Sequence, residues 1–235
     1  MNKDNDIYGC VHSIEPVGAH DGPGLRTVVF LSGCPMRCKY CHNPDAAVGG
    51  GARMSAKEVV DRCLKDRAFT NGVTLSGGEP AMQRGFALEI LKSLKRRRIH
   101  TALDTSGSVY DEEILKACSL VILDIKHTDA AAFENLCMHG ADNTFKTLAY
   151  LKKNRIPFWV RQVIVPGITD GEENLKNLAR LSVGAEKVEL LPYHTMGIAK
   201  WEKLGLDYPL KGVPAASDAL MKKCNELFLK YSKGE

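Results

Sequence analysis

Three cysteines crowd into eight positions of the stretch FLSGCPMRCKYCHNPD: Cys34, Cys38 and Cys41, spaced C-x3-C-x2-C, with His42 directly after them. In a reducing compartment, thiols this close together are better metal ligands than disulfide partners. An iron–sulfur cubane usually takes four thiolates. A loop that supplies three leaves one iron with an open coordination position, the feature that separates catalytic metal sites from closed structural ones. Two other chemistries use the same residue types. Cys34, Cys38, Cys41 and His42 make a zinc ligand set, and Cys38 to His42 satisfies the C-x-x-C-H pattern of c-type haem attachment, which would leave Cys34 without a role. The other five cysteines, Cys10, Cys63, Cys118, Cys137 and Cys224, are scattered and lie mostly on apolar helical faces, where they read as small core residues.

Further reactive side chains gather where apolar runs end. Strands are predicted at 25–32, 72–76, 99–104, 120–125, 157–165 and 187–192, and they end in LSGC, LSGGEP, LDTSG, LDIKH, VIVPG and LPYH. Ser76, Gly77, Gly78 and Glu79 put two glycines where the backbone must turn sharply or approach a ligand. Asp104, Thr105 and Asp124 bring two carboxylates and a hydroxyl to adjacent strand ends. Carboxylates so placed repel and raise a pKa unless a cation sits between them, though all three also suit helix caps and turns. Lys126 and His194 are donors at the fourth and sixth strand ends. Arg161, inside an apolar strand, is costly to bury alone and is expected to face a cavity beside an acidic partner or ligand.

The elements that hold these groups alternate strand and helix. Ser55 and Glu58 form a capping box, with Met54 and Val59 as its hydrophobic staple. Helical spacing recurs through Phe86, Ile90, Leu91 and Leu94, then Ile114, Leu115 and Cys118, then Phe145, Leu148 and Leu151, then Leu175 and Leu178, and in a closing helix over 217–231. Such β/α alternation predicts a parallel sheet, on whose carboxyl edge active sites assemble. Six units in place of eight predict an incomplete barrel, a partial (β/α)6 TIM-like fold with a broad lateral opening. At 235 residues the chain fits one domain, 1–235. With 44% hydrophobic and 26% charged residues the whole length is expected to fold. The N-terminus is polar and no apolar run approaches the roughly 18 residues a membrane helix needs, so the expectation is a cytoplasmic protein without a membrane partner. The net charge of +4 selects no partner class, and Lys95 to Arg98 read as a solvated helix end and not as a nucleic-acid patch.

The C-x3-C-x2-C loop, the later SGGEP and the polar strand ends resemble the radical S-adenosylmethionine (SAM) superfamily. HDGPGLR, YCHNPD, LDTSG, LDIKH, WVRQVIVPGITD and ELLPYHTMGIAKW, in that order, resemble the pyruvate formate-lyase activases of that superfamily over roughly residues 8 to 230. The resemblance implies a [4Fe–4S] cluster on Cys34, Cys38 and Cys41, with SAM chelating the open iron and cleaved to a 5′-deoxyadenosyl radical. It implies that Tyr40, Ser76, Gly77, Gly78, Glu79, Asp104, Thr105, Asp124, Lys126, Arg161 and His194 bind that cofactor, and that a monovalent cation, sodium or potassium, sits with Asp104, Thr105 and Asp124. Asp21 and His42, and with them Tyr40, resemble residues that contact the incoming polypeptide, although turn chemistry would explain them equally. The implied partners are pyruvate formate-lyase, through its glycine loop, and a flavodoxin or ferredoxin-type electron donor. Activases for other glycyl-radical enzymes often carry a ferredoxin-like insert with extra cysteines, whereas here only Cys63 lies between Cys41 and Ser76. The alternatives are such another activase, a radical SAM enzyme acting on a small molecule, and an electron carrier with a fully ligated cluster; no fourth cysteine lies within twenty residues of the loop to serve the last.

Overall fold

The computed structural model describes residues 6–233. Eight strands make one open sheet: β1 (Tyr8–Gly18), β2 (Arg26–Leu31), β3 (Ala52–Ser55), β4 (Gly72–Gly77), β5 (Thr101–Thr105), β6 (Leu120–Asp124), β7 (Phe158–Ile164) and β8 (Lys187–Pro192). Their order is β3-β1-β2-β4-β5-β6-β7-β8, parallel from β2 to β8. The six parallel strands are those predicted, and the fold is the expected partial TIM-like barrel. β1 and β3, both antiparallel, extend one edge and were not foreseen. The reason is local: β1 is mostly half-exposed and is interrupted by two register shifts, so it lacks a clean alternation of apolar and polar residues.

Nine helices lie along the described residues: α1 (Pro44–Val48), α2 (Ala56–Lys65), α3 (Arg84–Arg96), α4 (Glu112–Ala117), α5 (Ala130–Cys137), α6 (Asp142–Asn154), α7 (Glu172–Leu181), α8 (Ile198–Lys203) and α9 (Asp218–Ser232). The capping box at α2 is present, the Ser55 hydroxyl accepting from Glu58 N and the Glu58 carboxylate from Ser55 N. Residues 95–98 close α3 as an exposed helix end.

Strand alternation sorts the side chains into two layers. Val29, Leu31, Val73, Leu75, Leu103, Val121, Leu123 and Val160 face the helices and build the main core with Phe86, Ile90, Leu91 and Leu148. The intervening residues face the concave side. Low on that side Ala102, Leu120 and Ile122 pack together, and Arg26, fully buried, closes the floor by donating from Nε to Thr74 Oγ1 (2.6 Å) and from Nη2 to the Val73 carbonyl (2.8 Å). Above the floor the same positions become Ser76, Asp104, Asp124 and Arg161, so the polar groups share one concave end.

Candidate active site

After β2 the chain enters the cysteine loop, whose backbone is anchored on every side. Gly33 N and Cys34 N donate to the carbonyls of Ala46 and Ala47 in α1 (2.7 and 3.1 Å). Arg37 N and Lys39 N donate to the carbonyls of Cys137 and Leu136 at the end of α5 (2.8 and 2.9 Å). Trp201 Nε1 in α8 donates to the Cys41 carbonyl (2.9 Å). The end of β4 is stitched to the same loop, Gly78 N donating to Leu31 O (2.8 Å) and Glu79 N to Gly33 O (2.7 Å). Here the two glycines are required: a Cβ on Gly77, at φ +119°, would stand 2.3 Å from Leu31 N, and one on Gly78 would stand 2.1 Å from Gly33 O. Their bareness lets two backbones touch.

A cavity of about 330 Å³ opens above the sheet, and every predicted site residue except Glu79 lines it. Glu79 stands behind the wall. Fully buried, its carboxylate accepts from the hydroxyls of Thr105 (2.7 Å) and Ser106 (2.7 Å) and from Ser106 N (3.1 Å), which fixes the turn after β5. Burial pushes its pKa up against those bonds. Thr105 lines the cavity too, and its hydroxyl donates to Glu79 and accepts from Gly107 N (2.9 Å).

The carboxylates of Asp104 and Asp124 face the cavity. Asp104 accepts from the Ser76 hydroxyl (2.9 Å), and burial, opposed by Arg161 and reinforced by Asp124, pushes its pKa up to about 6. Asp124 Oδ2 accepts from Lys126 Nζ at 2.6 Å, and Lys126 lies 5.5 Å from the centre of the Tyr40 ring. Burial works against the Lys126 charge, yet Asp124, Tyr40 and Cys38 outweigh it and hold its pKa well above the ordinary value. Arg161 finds the acidic partners expected of it: its Nε donates to Glu189 Oε2 (2.6 Å), its Nη1 lies 3.7 Å from Asp104 Oδ2, and its Nη2 donates to the His20 carbonyl. Glu189, opposite Arg161 in the parallel register, was not singled out in the sequence because only that register brings it to the site.

His42 and His194 lie ring against ring, centroids 3.6 Å apart, and His42 Nε2 donates to the His194 carbonyl (3.1 Å). Burial lowers the pKa of both. Among the described residues no three His, Cys, Asp or Glu side chains converge as ligands of a single ion would. Tyr40 is buried and lines the cavity, as does Asp21 near Arg161.

The residues fit a charged iron–sulfur group and a polar ligand. Three buried polar atoms of the cavity wall have no partner: Tyr40 OH, Asp124 Oδ1 and His194 Nδ1. Burial pushes the Cys34 and Cys41 thiols up to about 12 and about 11, and contact with Cys137 together with burial raises Cys38 well above its usual value. Thiolates form at such positions when a cationic centre compensates them. Tyr193, Met36 and Asn43 also line the cavity and went unnoticed in the sequence, since nothing in their spacing signals a site.

Residues 28–179 match the radical SAM superfamily, and the chain belongs to it. That superfamily uses a [4Fe–4S] cluster and SAM. The chain is 44% identical to the pyruvate formate-lyase-activating enzyme of Clostridium pasteurianum, covering 95% of this chain and 98% of that one. It is 35% identical to the pyruvate formate-lyase 1-activating enzyme of Escherichia coli K12, covering 96% and 97%. Its place within the superfamily is thus among the pyruvate formate-lyase-activating enzymes. Solved structures share the fold: Streptococcus suis SuiB bound to its precursor peptide aligns at TM-score 0.70 and 16% identity, over 88% of this chain and 45% of that one. A domain of a Bacteroides vulgatus pyruvate-formate lyase-activating enzyme aligns at TM-score 0.56 and 23% identity, over 68% and 94%. Among the described residues no helix is long and apolar enough to cross a membrane.

Proposed function

We propose that this chain, working as one domain in the cytoplasm, generates the glycyl radical of pyruvate formate-lyase. The observation that carries the reading is the junction of the cysteine loop with the Gly77–Gly78 turn over a cavity whose wall holds unpartnered polar atoms. Cys34, Cys38 and Cys41 would hold the cluster, which, when bound, supplies the electron that splits SAM and so yields the radical that takes a hydrogen atom from a glycine Cα.

The chain's own groups bind and orient. The Gly77–Gly78 backbone would receive the methionine end of SAM. Lys126 and His194 offer donors to its polar edges. Arg161, held by Glu189, keeps its guanidinium directed into the cavity beside Asp104. Asp104, Thr105 and Asp124 would hold a sodium or potassium ion, which would relieve the charge repulsion between the two carboxylates and use the free oxygen of Asp124. A glycine loop of the partner enzyme would come in at the open side past Asp21 and His42. Glycine suits the task because its radical is delocalised between two amides and no side chain hinders approach. A flavodoxin or ferredoxin-type protein would supply the electron.

The test is anaerobic reconstitution with iron and sulfide, then reduction in the presence of SAM and pyruvate formate-lyase, watching for a protein glycyl radical by electron paramagnetic resonance. Cys34→Ala, Cys38→Ala and Cys41→Ala should each abolish the signal; full activity in any one of them refutes the ligand assignment.

A further inference from the structure

The helix that offers acceptors to the cysteine loop has little of its own to hold it in place. α1 has five residues, too few to be helical alone, and it runs out into Gly49, Gly50 and Gly51, all at positive φ. Its N-cap, Asn43, makes no side-chain capping bond, and Asn43 Oδ1 accepts instead from Lys200 Nζ of α8 (2.7 Å). Two places along, the Asp45 carboxylate is divided between two distant elements. Its Oδ2 lies 3.1 Å from His12 Nε2 in β1, and its Oδ1 accepts from Lys200 Nζ (3.3 Å). Burial works against the Asp45 charge, yet Ala46 N, Lys200 and His12 outweigh it and hold its pKa below the ordinary value. Through α1 and α8 these ties reach the thiols. The Ala46 and Ala47 carbonyls accept from Gly33 N and Cys34 N, and Trp201, next to Lys200, donates to the Cys41 carbonyl.

We propose that Asp45 is a positioning residue for the cluster: by tying α1 to β1 on one side and to α8 on the other, it sets where Cys34 stands relative to Cys41. The inference rests on those two cysteines being cluster ligands, as proposed above. The Asp45 side chain is 33% exposed, and ion pairs so placed add little to overall stability. The effect of the network therefore falls on the loop and not on the fold. A purely structural role makes a different prediction, since iron would then be lost faster only as the whole chain became easier to unfold. Ala favours a helix more than Asp does, so truncating Asp45 to Ala cuts the ties without weakening α1 through propensity.

The experiment compares the reconstituted full chain in wild type, Asp45→Ala, Lys200→Met, Lys200→Arg and the double variant Asp45→Ala with Lys200→Met. Iron loss to a chelator is followed without SAM, the reduced cluster is recorded by electron paramagnetic resonance, and the urea midpoint of each metal-free chain is measured. Asp45→Ala and Lys200→Met should each lose iron about threefold to tenfold faster than wild type, less than the cost of removing a direct partner of a ligand because Asp45 acts through the backbone. Both should alter the spectrum of the reduced cluster and keep the wild-type midpoint. The double variant should lose iron no faster than the worse single one, because both changes cut one network. Lys200→Arg, which keeps the cation, should stay within about twofold of wild type. Wild-type iron loss and spectrum in Asp45→Ala and Lys200→Met overturn the inference, as does a loss that only tracks a lowered midpoint, or a Lys200→Arg chain as impaired as Lys200→Met. If Asp45→Ala fails to fold, the two Lys200 variants carry the same test from the α8 side. A wild-type chain that takes up no cubane overturns the ligand assignment as well, so the two failures are told apart by the wild type alone.

Discussion

Replacing Asp104 by Asn should stabilise the metal-free chain, an unusual direction for a change in a catalytic cavity. The Asp104 side chain is 20% exposed, and its neighbourhood moves its pKa from 3.8 to about 6. That is about two units, and at about 1.36 kcal/mol per unit the ionised carboxylate costs about 3 kcal/mol of folding stability above pH 6. The sign follows from proton uptake. Between about pH 4 and pH 6 the folded chain holds a proton here that the unfolded chain has released, so this group's contribution falls as pH rises through that window and is constant beyond it. Asn resembles the protonated acid and still accepts the Ser76 hydrogen bond. Urea unfolding under anaerobic, reducing conditions should therefore show D104N more stable than wild type by up to about 3 kcal/mol at pH 7, with the gap closing by about pH 4. Potassium or sodium, against tetramethylammonium at equal ionic strength, should stabilise wild type more than D104N. A variant no more stable than wild type at pH 7, or a gap independent of pH, would refute the charge-crowding argument.

Gly78→Ala would force a Cβ to within 2.1 Å of the Gly33 carbonyl, so β4 must part from the cysteine loop; a loss of about 3 kcal/mol or more is expected, with iron and sulfide per chain falling in parallel. Normal iron content in that variant would show the two backbones to be independent. Trp201→Phe removes the donor to the Cys41 carbonyl at 2.9 Å and should cost about 1 kcal/mol, read in the denaturation midpoint and as faster loss of iron to a chelator. Lys126→Met leaves Asp124 buried without its 2.6 Å partner and should cost about 3 kcal/mol, most of it restored when Asp124→Asn is added. Additive losses in that pair would mean the two groups are not coupled.

Much of this protein is written locally. The six parallel strands, the Ser55 capping box and the polar ends of the strands follow from alternation, spacing and residue type, which act over a few positions and need no knowledge of partners. The three-cysteine loop is likewise a local pattern. What distant contacts make was not legible. β1 and β3 exist because neighbouring edges accept their hydrogen bonds, against a poor internal pattern. Residue type alone does not say that the Glu79 carboxylate braces Thr105 and Ser106; the turn after β5 folds over it. Residue type allows Gly77 and Gly78 a sharp turn or a close ligand, and tertiary structure adds that the backbones of Leu31 and Gly33 claim the space where their side chains would be. Glu189 and Lys200 reach Arg161 and Asp45 only once strand register and the packing of α8 bring them there. Spacing along a chain governs which groups can act together within a loop; which groups meet across 28 or 155 residues is decided by packing alone.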